Sequence, residues 1–351
     1  MTQIQRYEGG LLGLLIGDAI GVPFEFSSPS TLRIFSNDDI GLPYTLDASQ
    51  FQRSHPSAPQ GAWSDDGAQA LALLDSLQSC QKLDLNDFSK RLLNWANQGH
   101  YAVGGAYFDI GIQTRAAFKK LEAGVKPHLA GGAEEENNGN GSLMRVLPLA
   151  LWHQGDNASL VKLAMEQSLP THGHMRSQVC CALYALWAKQ LLNGAEDGFE
   201  DALYILDDLY HDNPNKEAIQ ELDLIMGDEN KTPSGSGYVV DSLWSARDAF
   251  VKSNSYAETI HRAIRFGNDT DTTACIAGGL AGIKYGKEGI PQLWQDHLAK
   301  DERLDLCLER LRQPSFNPSH PEGDDNGAEP LGKARRKNGF LVNLRGLLRS
   351  F

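Results

Sequence analysis

The sequence is poor in cysteine and has no thiolate pattern. Its five cysteines (Cys80, Cys180, Cys181, Cys275 and Cys307) in 351 residues form no C-x-x-C pair. This argues against a disulfide framework and a thiolate zinc site, and fits a reducing compartment. Long hydrophobic runs are also missing. The best, Leu11 to Ile16, is soon followed by Asp18, and it is far short of the roughly 20 residues that span a bilayer. The opening residues MTQIQRYEGG lack a basic segment leading into an apolar one, so no secretory signal and a cytoplasmic location are expected. Cationic residues are in deficit, with 32 Lys and Arg against 45 Asp and Glu, a formal charge of -13. That balance repels nucleic acid and anionic membranes on average, so neither is expected as a partner. Alternating segments bounded by turn residues are nearly absent, and no G-x-S-x-G elbow or repeat of 20–50 residues occurs.

What remains is helical periodicity. With 41% hydrophobic residues the chain has material for a large core. Leu11, Leu12, Leu15, Ile16 and Ile20 mark a first helix, and Gly9, Gly13, Gly17 and Gly21 place a bare stripe along it. In a soluble core such a stripe lets another backbone approach closely. Val179 to Leu192 is apolar almost all round and reads as a buried central helix, as does Ala274 to Ile283 with its small residues. Further helical segments are expected at 68–77, around 92–95, and at 110–121, 143–152, 239–250 and 260–266. The expectation is an all-α protein with one large core. Residues 36–62 and 130–142 read as long loops. From Pro314 the composition turns to prolines and then to Lys333, Arg335, Arg336, Lys337, Arg345 and Arg349. The expected division is therefore a domain over 1–313 and a linker with a basic tail over 314–351.

Chemistry concentrates in two acidic turns. Trp63-Ser64-Asp65-Asp66-Gly67 opens one apolar helix, and Asn268-Asp269-Thr270-Asp271-Thr272-Thr273 opens another. Each alone reads as a helix cap, with acids complementing the dipole. Taken together, their four carboxylates and interleaved hydroxyls would form an oxygen-only site if the two helix starts converge. Such donors suit Mg²⁺, Mn²⁺ or Ca²⁺ rather than Zn²⁺, and can neutralise two divalent ions. An EF-hand is excluded, because the sixth and twelfth positions counted from Asp269 are Ala274 and Leu280.

These segments resemble the ADP-ribosylglycohydrolases. The likeness runs through Gly9 to Glu25 (GGLLGLLIGDAIGVPFE), Ser64-Asp65-Asp66, Asn138 to Arg145 (NGNGSLMR), Thr171-His172 and Asp269-Thr270-Asp271-Thr272, in the family's order over roughly residues 9–290. The resemblance implies an all-α fold, a single large multi-helix orthogonal bundle, with two divalent cations, Mg²⁺ or Mn²⁺, in a central cleft. It implies that Ser64, Asp65, Asp66, Asp269, Asp271 and Thr272 are metal ligands. Ser64 stands where the family often has Thr, and it keeps the hydroxyl. Glu25 matches an acid on a loop that closes over the metals or substrate.

The resemblance further implies that Asn140, Gly141, Ser142, Met144 and Arg145 line the site for ribose and phosphates, with His172 near the diphosphate. From the residues alone, Arg145 reads equally well as a structural ion pair. Phe108-Asp109-Ile110-Gly111 and Gly235 to Asp241 are similar to segments of the dinitrogenase reductase activating glycohydrolases, which cleave ADP-ribosyl-arginine. That likeness places Asp109 near the scissile end and offers Tyr238 as an aromatic face for adenine. The implied activity is hydrolysis at C1″ of an ADP-ribosyl group on protein arginine, with Glu25 and Asp109 as the proton-transfer candidates. An ADP-ribosylated protein or small ADP-ribosyl molecule would be the partner. The alternatives are a module that binds ADP-ribose or a modified partner, for instance a toxin immunity factor, and a hydrolase of another linkage such as O-acetyl-ADP-ribose.

Overall fold

The computed structural model describes residues 1–46, 49, 51–212, 214–228 and 232–313. The expected linker and basic tail, 314–351, lie outside the described residues. The helices are α1 (Gln3–Gly21), α2 (Pro29–Leu32), α3 (Asn37–Gly41), α4 (Asp65–Cys80), α5 (Leu85–Gln98), α6 (Ile112–Glu122), α7 (Leu147–Trp152) and α8 (Asn157–Glu166). They continue with α9 (Met175–Leu192), α10 (Phe199–Asp212), α11 (Lys216–Gly227), α12 (Val239–Val251), α13 (Tyr256–Ile264), α14 (Thr270–Tyr285), α15 (Gln292–His297) and α16 (Glu302–Arg312). Among the described residues, extended pairing is confined to isolated bridges, Gly132 with His172 and Gly139 with Tyr238. The protein is all-α, as its periodicity predicts.

Helices α1 and α14 form the centre. The glycine stripe of α1 lies directly on the backbone of α14. A Cβ at Gly9, Gly13 or Gly17 would overlap the carbonyl oxygen of Gly282, Gly278 or Ala274 respectively, and one at Gly21 would overlap Asp271 Cα. Only glycine allows backbones to come this close. The stripe therefore fixes the register of α14, and with it the position of Asp271. Thr270 Oγ1 ties the same end by donating to the Gly21 carbonyl at 2.8 Å. Helix α9 is buried along nearly its whole length, from Arg176 to Ala188, and Tyr184 donates from it to the Ile276 carbonyl of α14 at 2.8 Å.

Two sequence expectations change in detail. Residues 36–62 are not wholly irregular: Ser36 caps α3 through a reciprocal bond with Asp39. The segment 143–152 is helical only from Leu147, because Asn138 to Val146 is tied into a succession of turns beneath Gly237–Val239. Helices α8, α10, α11, α15 and α16 were not singled out from the sequence. Helices α10, α11 and α16 interleave their apolar positions with many charges, and α8 and α15 are short.

Candidate active site

The site begins with Asp18, on α1 beside the glycine stripe. Its carboxylate is fully buried and accepts from the Ser64 backbone N–H at 3.0 Å and the Gly67 N–H at 2.8 Å. An acid from one helix thus caps the start of another, a favourable placement against the positive end of the α4 dipole. Ser64 is itself the N-cap of α4, accepting from the Asp66 N–H at 3.2 Å. This double capping points Asp65 and Asp66 toward the end of α14.

The two acidic turns meet there. Thr272 Oγ1 donates to Asp66 Oδ1 at 3.4 Å, although 206 positions separate them in sequence. Glu25, Asp269 and Asp271 offer carboxylate oxygens that all lie within 4.8 Å of one another. Glu25, His55 and Asp109 form a second group of the same tightness, so Glu25 is shared by both. Asp269 is oriented by Asn140, whose Nδ2 donates to its Oδ2 at 2.7 Å. Asn140 Nδ2 also reaches Ser242 Oγ on α12 at 2.9 Å.

The electrostatics are severe. Burial drives Asp65, Asp66 and Asp271 well above the ordinary carboxylate range, and the neighbouring carboxylates add to it. Burial also raises Asp18 to about 7, against the pull of the Ser64 and Gly67 N–H groups. Glu25 rises to about 7 by burial, with the His55 bond opposing it. Asp109 is raised by burial and partly held down by His55. Such crowding is costly unless protons or cations compensate it. One buried oxygen on each side, Asp66 Oδ2 and Asp271 Oδ1, has no hydrogen-bond partner. Unpartnered buried carboxylate oxygens in an all-oxygen donor set are what a hard divalent cation requires.

Comparisons with known proteins bear on the family of the chain. The model of the ADP-ribosylglycohydrolase family matches residues 1–319. The chain belongs to the ADP-ribosylglycohydrolase family. It is 31% identical to the ADP-ribosylarginine hydrolase Tri1 of Pseudomonas putida (strain GB-1), over 94% of this chain and 82% of the relative. It is 26% identical to the ADP-ribosyl-[dinitrogen reductase] glycohydrolase of Rhodospirillum rubrum, over 87% of this chain and 92% of that one. A solved chain described as an ADP-ribosylglycohydrolase-related protein complex superposes with a TM-score of 0.68 and 27% identity, covering 88% of this chain and 97% of that chain. The protein is a glycohydrolase enzyme of this family. No described helix is long and apolar enough to cross a membrane.

The remaining residues singled out in this glycohydrolase fall into two settings. Asn140 and Gly141 are both buried, and Asn140 touches the cluster through Asp269. A Cβ at Gly141 would run into the His172 ring, so the loop sits flat on that imidazole. His172 is buried, bonded through Nδ1 to Thr171 Oγ1 at 2.8 Å, and held neutral by burial and by Arg145, its pKa lowered to about 3. Tyr238 is half-buried, and its hydroxyl accepts from Arg176 at 3.2 Å. Ser142 and Met144 point away from solvent. Ser142 Oγ accepts from Ser168 Oγ at 2.8 Å, and Met144 is 3% exposed.

Arg145 is fully buried. Its guanidinium donates to Gln167 Oε1 at 3.1 Å, the Gln167 carbonyl at 2.9 Å and Gln69 Oε1 at 2.8 Å, and stacks on Phe88. Gln69 passes the contact on by donating to Asp65 Oδ2 at 3.1 Å. Of the two sequence readings of Arg145, this placement is interior and structural, without an acid partner, behind the acidic cluster. Asp18, His55, Gln69 and Ser242 escaped attention as site residues. The GDAIG segment could have flagged Asp18 as a charge inside an apolar helix. Nothing local distinguishes Gln69 or His55.

Proposed function

We propose that this enzyme hydrolyses the C1″ bond of ADP-ribosyl-arginine on a modified protein, using two divalent cations, Mg²⁺ or Mn²⁺. The products are ADP-ribose and the restored arginine. The observation that carries this reading is the pair of buried, unpartnered oxygens, Asp66 Oδ2 and Asp271 Oδ1, on facing helix starts. The names of two relatives, an ADP-ribosylarginine hydrolase and an ADP-ribosyl-[dinitrogen reductase] glycohydrolase, support the linkage.

In this reading Ser64, Asp65, Asp66, Asp269, Asp271 and Thr272 hold the cations. When bound, the cations supply positive charge that fixes the ribose hydroxyls and acidifies a neighbouring water. The chain's own groups do the rest. Asn140 holds the Asp269 carboxylate in one orientation. Glu25 belongs both to the group with Asp269 and Asp271 and to the group with His55 and Asp109, which in this reading puts it beside the ribose. Its carboxylate takes a proton from the attacking water as the new C1″–O bond forms. Asp109 belongs to the group with Glu25 and His55 and not to the one with Asp269 and Asp271. It faces the departing side chain and gives a proton to the nitrogen as the C1″–N bond breaks. Its raised pKa suits an acid that must hold a proton before transfer. Positive charge building on the ribose ring is met by the surrounding carboxylates.

A panel of defined ADP-ribosyl linkages, to arginine, to serine and in O-acetyl-ADP-ribose, tests the reading with Mg²⁺, Mn²⁺ and chelator. Release from arginine alone, lost in chelator, is the expected result. Binding of ADP-ribose without release from any linkage would replace hydrolysis by recognition.

A further inference from the structure

Three non-glycine residues with left-handed backbone surround Glu25: Phe26 (φ 62°), His55 (φ 49°) and Asn268 (φ 58°). Side chains other than glycine disfavour this region, and such strain persists only where surrounding contacts hold it. The contacts here are specific. Ser54 donates its backbone N–H to the Pro23 carbonyl at 2.9 Å and its hydroxyl to the Glu25 carbonyl. Phe26 N–H donates to the Asn268 carbonyl at 2.6 Å, and Asn268 N–H returns a bond to the Ser27 carbonyl at 2.8 Å. Phe51 packs on Phe24 and Phe35 at 5.0 and 5.1 Å between ring centroids. The backbone of the Glu25 turn is therefore clamped between the strap 51–55 and the turn that carries Asp269.

Among the described residues, the Glu25 side chain has one hydrogen-bonding side-chain neighbour, His55. His55 Nε2 meets Glu25 Oε2 at 2.5 Å. The imidazole neighbours the rings of Phe26, largely exposed at 6.0 Å, and Phe108 at 5.1 Å between centroids. Its side chain is only 15% exposed, and that of Glu25 7%. Low exposure of both side chains limits their alternative rotamers, so the bond keeps its direction.

We infer that His55 is the positioning residue for Glu25, holding one carboxylate oxygen so that the other stays turned toward Asp269 and Asp271. This rests on the role given to Glu25 above. His55 neither touches the ribose nor replaces Glu25; it acts through it. Its place in the strap also explains why His55 accepts a left-handed backbone: that conformation brings the ring beside Phe26 and Phe108.

The test uses the full chain with His55→Ala and His55→Gln, read by steady-state release of ADP-ribose from an ADP-ribosylated arginine protein and by amide hydrogen exchange over residues 22–28. His55→Ala is expected to lower kcat roughly 10–100-fold, with KM nearly unchanged, as misplacement of a reacting group does. It should also speed exchange in the Glu25 turn while leaving the global Tm in place. His55→Gln, whose amide can donate to Glu25, should recover most of kcat and of the protection. Equal activity in His55→Ala and wild type, or equal loss in both variants together with a fallen Tm, would overturn the assignment. If wild type releases nothing from any linkage, the functional reading fails on its own. The exchange of His55→Ala against His55→Gln then still decides whether His55 holds Glu25.

Discussion

The two sides of the acidic cluster are built differently. Asp65 and Asp66 stand on the first turn of a long helix, held from behind by Asp18 through two backbone N–H groups and by Gln69 from within the helix. Every support there is buried. Glu25 stands on a turn, held by left-handed backbone at Phe26 and by His55, whose side chain is 15% exposed, while Asp269, the N-cap of α14, is held by the buried Asn140. Helix capping fixes one side; contacts between turns fix the other.

The largest expected effect separates those two sides. Asp66→Ala and Asp271→Ala each remove one of the unpartnered buried oxygens. Both should abolish Mg²⁺ binding in titration calorimetry and lower turnover by more than about a thousandfold. Neither should destabilise the cation-free fold, since each deletes a carboxylate that burial already disfavours. Glu25→Gln should cut kcat comparably while Mg²⁺ still binds. If Glu25→Gln loses the cation as completely as Asp66→Ala, the two sides are one site and the distinction fails.

The next effect concerns what stands behind Asp65. Arg145 lies buried without an acidic partner and reaches the cluster only through Gln69. Arg145→Met should weaken Mg²⁺ binding about 10–100-fold, the usual loss when a group supporting a ligand is removed. A role on the substrate phosphates would instead raise KM and leave the cation affinity alone. Gln69→Leu should reproduce the Arg145→Met result, because both break the same two-step contact.

This contrast also explains what was legible in the sequence. Local rules reach Ser64, Asp65, Asp66, Asp269 and Asp271, because caps and acids before apolar runs announce helix starts. The glycine stripe of α1 is equally readable, and it turned out to set how closely α14 approaches. The support of those residues is not local. Asp18 acts on a helix that starts 46 positions later, and Arg145 acts through a glutamine 76 positions away. No spacing encodes such pairs; they exist only once the core has packed. The strap at His55 is harder still, for a left-handed histidine in a polar stretch carries no period at all.

A smaller effect tests whether the helix packing itself serves the site. Gly9→Ala and Gly21→Ala both push a methyl group into α14 backbone, one at Gly282 and one at Asp271. Each should cost about 1–3 kcal/mol of stability, typical of overpacking. Only Gly21→Ala, at the end next to the acidic turn, should also weaken Mg²⁺ binding. Equal cation affinity in both variants would mean that the position of Asp271 is set by α14 alone.

The smallest effect is a slope. Asp18 and Glu25 titrate near 7 in the folded chain, against ordinary values of 3.8 and 4.5. Between about pH 4 and pH 7 the folded state therefore binds more protons than the unfolded state, and stability from these groups falls as pH rises through that window. In chelator, Tm should climb by a few degrees from pH 8 to pH 5.5, and Asp18→Asn should flatten part of the rise. Mg²⁺ should act in the opposite sense. Its stabilisation should be greatest at pH 8, where the carboxylates are charged and repel one another, and should shrink by pH 5.5 as protons take the same oxygens. A Mg²⁺ shift independent of pH would place the cation away from the buried carboxylates, and the helix-start side of the site would then be a charge reservoir rather than a cation seat.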